Sequence, residues 1–346
     1  MRPALLAAAL FCAASAAAVY PASAQTWLFE SASTVPSTDT GWDYITLDTS
    51  GARLFVARRA DGLMVWDPAT RQAVTVENSH GANGVVLAPT RGFVAMTDGT
   101  VLSFDPKTLK PIERVDLGVG DLNQGFFEPT QNRVHMITAA GPEKSTWVSL
   151  NAATGEVLGR TEFNSRKMDV PTTDNEGAIY APMRDKSLLQ QLDAKDLSLQ
   201  KTWKLGDCVQ PVAVEWDAAT KRVLIACRGD KPVFVALNPA TGVVATVPIG
   251  RGVDGMAIDA KRHLVVTSNG TDGTMSVIRQ DGPDAYALVE TIATRPMAHD
   301  LQLDERTGRL FTVAASFTQP APGADGKVAP VFYHPDSFAI LTYRPN

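Results

Sequence analysis

The chain has 346 residues, with 32 Lys+Arg against 37 Asp+Glu, a formal net charge of −5. That balance gives nucleic acid no basic footprint, which makes it an unexpected partner. Beyond the first two dozen residues no stretch is apolar enough to cross a bilayer as a helix.

Residues 1–24 begin with Arg2 and an alanine-rich apolar run and end in "PASA" before Gln25, the pattern of a cleavable signal peptide cut after Ala24. Cleavage would remove only Arg2 among charged residues, leaving 31 basic and 37 acidic side chains, a net charge of −6. The mature protein, residues 25–346, is expected to be a periplasmic or secreted monomer with no membrane span.

An apolar strand then recurs seven times: "ARLFVA" at Leu54, "RGFVAM" at Phe93, "NRVHMI" at Val134, "GAIYAP" at Ile179, "KRVLIA" at Val223, "RHLVVT" at Leu264 and "GRLFTV" at Leu310. The steps are 39, 41, 45, 44, 41 and 46 residues. This is the period of a four-stranded propeller blade, so the sequence predicts one all-β domain, a seven-bladed β-propeller. Six blades plus a satellite hairpin is the competing count. Five or six residues before each repeat stands Asp48, Ala88, Glu128, Asp174, Asp217, Asp259 or Asp304, read as turn formers rather than catalysts.

"WDPATRQ", "FDPKTLK", "LNAATGE", "LDAKDLS" and "LNPATGV" predict the hairpins between third and fourth strands in blades one to five. Blade six carries "RQDGPDAYA" instead, and blade seven has no such motif. "TWLFESASTVP" resembles "YALVETIATRP", the fourth strand of blade six. The N-terminal segment is therefore expected to complete blade seven and close the ring. Residues 316–338, rich in Pro and Gly, read as a long loop without secondary structure, on the face where blade-to-blade connections gather.

Two cysteines remain beyond the leader, Cys208 and Cys227. An exported compartment permits a disulfide between them; a two-thiol metal site is the alternative, although partners at the usual spacing are lacking.

Counting back five residues from each turn acid gives Asp43, Asn83, Asn123, Asp169, Val212, Asp254 and His299. These positions fall at one mouth of the central channel. Their carboxylates, amides and imidazole suit a hard cation such as Ca²⁺ or another divalent ion, with Asp43, Asn83, Asp169 and Asp254 as the candidate ligands. Alternation argues the other way. Ile45, Val85 and Met256, two positions further on, are apolar, which puts the ring side chains on the face between blades. His80 and His299 flank the mouth, and Arg228 and Arg251 are candidate grips for an anion. His135 and His263 read as packing or surface residues. No Gly-x-Ser-x-Gly turn and no His-Glu-x-x-His occurs.

From "CVQPVAVEWDAATKRVLIAC" through "VFVALNPATGVVATVPIGRGVD" and "SNGTDGTMSVIRQDGPDAYALVETI" to "LDERTGRLF", the chain resembles the exported YVTN-type, YncE-like propellers of the quinoprotein amine dehydrogenase β-chain-like group. The resemblance spans essentially the whole mature chain. It implies a seven-bladed ring, fits Cys208 and Cys227 to the family's paired cysteines, and implies little about activity. The short stretches "ANGVV" and "VDGMAID" resemble strand starts of gluconolactonase-like propellers, which would make Asn83 and Asp254 ligands of a catalytic divalent metal. The leading expectation is a non-catalytic module that binds a small ligand or a periplasmic protein through the mouth; a metal-dependent lactonase is the alternative.

Overall fold

The computed structural model describes residues 26–39, 41–323 and 326–346. The expected leader and its cut after Ala24 lie outside the described residues.

Each "LFVA"-type repeat is the second strand of a blade, and the reason it reads as an unbroken apolar run is burial on both faces. In Leu54–Arg58, Leu54 and Val56 join the cluster with Phe311 and Val313, while Phe55 and Ala57 join that with Val85 and Val94. The same geometry recurs around the ring. Seven four-stranded antiparallel sheets form, each running in chain order from the innermost strand outward except the last. The buried apolar side chains of the described residues fall into seven clusters, one at each blade–blade interface. The fold is a seven-bladed β-propeller.

The turn acids act as expected. The Asp48 carboxylate accepts from the Ala52 amide at 2.9 Å, Glu128 from Thr130 and Gln131 at 3.0 and 2.8 Å, and Asp217 from Ala219 at 3.0 Å. The Asx-Pro hairpins are capped likewise, with Asp67 accepting from Ala69 and Thr70 at 2.7 and 3.1 Å. Blade six, lacking that motif, runs its outer hairpin longer, as Thr274–Gly282 and Ala285–Ala293.

Blade seven places Leu301–Asp304, Arg309–Ala314 and Ala339–Pro345 in order, with Trp27–Thr34 from the other end of the chain as its outermost strand. Trp27 pairs with Pro345, and its indole N–H donates to Gly308 O at 2.7 Å.

Residues 316–338 differ from expectation. Phe317–Thr318 pairs with Phe332–Tyr333 in a small two-stranded ladder, too short to leave a periodic signal in sequence. It lies beside the mouth, where Tyr333 packs on Trp42 with ring centroids 4.8 Å apart.

Cys208 and Cys227 are disulfide-bonded, with Cα atoms 5.3 Å apart. The bridge ties the connection between blades four and five to the end of the second strand of blade five, next to Arg228.

Candidate functional site at the channel mouth

The innermost strands of blades two, three, five and six begin Ala82–Leu87, Leu122–Glu128, Pro211–Asp217 and Val253–Asp259. In each, pairing skips the second residue: Asn83, Asn123, Val212 and Asp254 stand unpaired between partnered neighbours. A β-bulge at this point breaks the period of two and re-aims the side chain. Simple alternation is therefore interrupted at these four positions. Asp254 lines the axial cavity.

The bulged side chains link neighbouring blades across the mouth. Asn83 Nδ2 donates to the carbonyls of Leu122 and Asn123 at 3.2 and 2.9 Å. Asn123 Nδ2 donates to the Tyr44 hydroxyl at 2.8 Å and lies 3.5 Å from Asp169 Oδ1. Arg59 reaches Asn83 Oδ1 at 3.0 Å and Asp43 Oδ2 at 3.4 Å. Lys167 donates to Asn123 Oδ1 at 2.9 Å, and Lys167 and Arg184 lie 3.6 and 3.3 Å from the Asp169 carboxylate. Arg228 holds Asp254 at 2.5 Å and Val253 O at 2.7 Å.

The expected ring members thus divide. Asp43, Asn83, Asn123 and Asp169 form one connected network, and Asp254 with Arg228 and His299 borders a side cavity of about 350 Å³. His299 Nδ1 is 2.8 Å from Met297 O, and its ring stacks on Trp42 at 5.4 Å. One residue on, at the register of Tyr44, Asp300 lines the channel, its carboxylate accepting from the Ile45 and Leu301 amides at 2.9 and 2.8 Å. Val212 joins the apolar cluster between blades five and six. His80 bonds Ala60 O through Nδ1, and Arg251 pairs with Asp272 at 2.8 Å on the outer rim. Among the other histidines, His135 is buried against Phe126 with Nδ1 on Ser149, and His334 bonds Thr318 within the insert.

Four side chains at the axis were absent from the sequence-derived set: Tyr44, Lys167, Glu215 and Asp300. Tyr44, Glu215 and Asp300 sit two or four residues before a turn acid, on the face that looks down the channel. Their alternation with Ile45, Val214 and Leu301 was the available signal. Lys167 lies in a connection with no periodicity to read.

Burial raises the carboxyl groups here. Asp43 is pushed up to about 6, mainly by burial and then by Asp254, against the pull of His299, Arg59 and Lys167. Asp300 is pushed up to about 8, chiefly by burial, with its two amide donors opposing and Asp254 and Asp43 adding. Burial likewise raises Asp169, opposed by Lys167 and Arg184.

A stability prediction follows from Asp300. Folded, it keeps its proton to about pH 8, whereas an unfolded Asp ionises near 4. Where the folded state binds more protons, stability falls as pH rises. His135, pushed down to about 4 by burial, acts in the opposite sense, but only below its unfolded value near 6.5. Between pH 6.5 and 8 the raised carboxyls therefore act alone, Asp300 contributing a loss of about 1–2 kcal/mol. Thermal melts should show Tm falling by a few degrees across that interval, and Asp300→Asn should flatten the slope. A flat or rising wild-type profile contradicts the assignment.

The donor set does not fit the metal implied by the gluconolactonase-like resemblance. Among the described residues no group of three or more His, Cys, Asp or Glu comes together that could hold a metal ion. Asp43, Asp169 and Asp254 are each held by a guanidinium or ammonium instead, and Asn83 spends its amide on backbone carbonyls. A cation added among these side chains would meet resident positive charge.

The ion pairs share an orientation. Arg59 is 48% exposed against 22% for Asp43, Arg184 21% against 4% for Asp169, and Arg251 69% against 26% for Asp272. In the first two pairs the acid lies inward and the cation outward; Asp272 is itself exposed on the rim.

No protein-family model matches the chain, and no curated protein matches it. Solved structures do. The chain is similar to a chain of the Kuenenia stuttgartiensis hydrazine synthase at 13% identity, with a TM-score of 0.67, covering 87% of this chain and 97% of that one. It is also similar to a chain from the mitotic checkpoint complex at 13% identity and a TM-score of 0.70, covering 99% of both. These neighbours are β-propellers, and at such identity the likeness is one of fold.

Proposed function

We propose that the protein is an exported, non-catalytic binding module of the YVTN/YncE-like type, which captures a carboxylate-bearing ligand, free or on a partner protein, at the channel mouth. The observation that carries this reading is the outward display of Arg59 and Arg184 over inward carboxylates, with Arg251 exposed on the rim. Guanidinium groups bind carboxylates through paired, charge-assisted hydrogen bonds, and a planar fork needs little reorganisation to do so. Burial raises Asp300 and so lessens the negative charge it sets against an anion. Tyr333, half-buried and packed on Trp42, supplies an apolar surface beside Arg59 and Asp43. The Cys208–Cys227 bridge supports export, since such bonds persist in oxidising compartments.

Hexaglutamate is a suitable probe. Calorimetry at low salt should detect its binding to the wild type, weakening steadily as salt is added. The triple variant Arg59→Gln, Arg184→Gln, Arg251→Gln should bind at least about tenfold more weakly, a loss of about 1.4 kcal/mol. Equal affinity in the variant would remove the mouth as the site.

A further inference from the structure

Below the mouth, the innermost strands of all seven blades enclose an axial cavity of about 330 Å³. Most polar side chains along its wall are already engaged. Thr46 donates to Val85 O at 3.3 Å, Thr172 Oγ1 accepts from the Trp216 amide at 3.2 Å, and Gln124 from its neighbour's amide at 3.1 Å. Gln302 accepts from the Leu47 amide at 3.3 Å, and Asp300 holds two amides as described.

Glu215 is different. Among the described residues no donor reaches its carboxylate and no cation pairs with it. It stands where the axial cavity meets a second space of about 320 Å³ between blades five, six and seven, on the face opposite the mouth. The residue is half-buried, and burial in the cavity wall pushes its carboxyl up to about 7. Its carboxylate opens onto the cavity, where a ligand can meet it.

We propose that Glu215 is the recognition group of a second ligand site, in the lower channel, for a compact organic ammonium ion with an apolar body. An ionised carboxylate only accepts hydrogen bonds, so the occupant must bring N–H donors, and positive charge makes them strongest. Val85, Val214, Met256 and Phe127 line the same cavity and offer surface to the apolar part of such an ion. The volume lies at the lower end of the range for small-molecule sites. The far face also suits a cation's approach: Asp217 and Glu305 line the second space, and neither cavity is lined by a Lys or Arg.

Butylamine and benzylamine are the probes, with butanol as the neutral control. Ligand-observed NMR should show saturable binding of the amines and not of butanol. Glu215→Gln preserves shape and removes the charge; it should weaken amine binding at least about tenfold, with Tm held or raised. Ala213→Leu, which narrows the cavity while keeping Glu215, should also block the amines. The mouth variant Arg59→Gln should leave them bound, so that this site and the hexaglutamate site fail or survive separately. Unchanged amine affinity in Glu215→Gln, or no saturable amine binding to the wild type, overturns the proposal.

Discussion

Trp27→Ala should destabilise the protein by about 3–5 kcal/mol, the range for truncating a buried Trp. Trp27 is 1% exposed within the cluster between blades six and seven. The Arg262 guanidinium lies over its ring at 3.9 Å and donates to Thr26 O at 3.0 Å, so one side chain clamps both the ring and the backbone of the N-terminal strand. Two residues along, Phe29 points outward and is 57% exposed. Phe29→Ala should therefore change stability by less than about 1 kcal/mol. The contrast separates loss of interior packing from loss of strand propensity. If the two variants melt alike, the N-terminal strand does not contribute to closing the ring as expected.

The second large effect concerns the bridge. Cys208 and Cys227 are 19 residues apart, and the loop they close corresponds to about 3 kcal/mol in the chain-entropy account. Cys208→Ser with Cys227→Ser should lower Tm by several degrees, as should reduction of the wild type. Function should suffer too, because Cys227 precedes Arg228, which bonds Asp254 and the Val253 carbonyl. Freed of the bridge, the turn that aims Arg228 across to blade six is less constrained. Hexaglutamate binding should weaken at temperatures where the double variant is still folded. An unchanged melt would mean that the bridge constrains little of the unfolded chain.

The blades were legible because their second strands are buried on both faces and so repeat as apolar runs such as "RVLIAC". The turn acids were legible because an Asx side chain fixes its own local turn. The positions of Asp43, Asn83, Asn123, Asp169 and Asp254 followed from the same register. Their orientation did not. A bulge is one residue of extra length with no characteristic residue type, so alternation carried through it assigns the wrong face to Asp254. Glu215 sits in "VAVEWD", where a lone acid in an apolar run looks incidental until the channel face is known. The metal reading rested on residue types alone; the arginines and the lysine that hold those acids lie on other loops, and sequence does not show them meeting.

The most direct test of the mouth as a recognition surface is to titrate hexaglutamate while following the arginine side-chain Nε resonances by NMR. The account predicts shifts at Arg59, Arg184 and Arg251, with Arg53 and Arg309 on the opposite side unmoved. Shifts confined to those distant arginines, or none at saturating peptide, would contradict it.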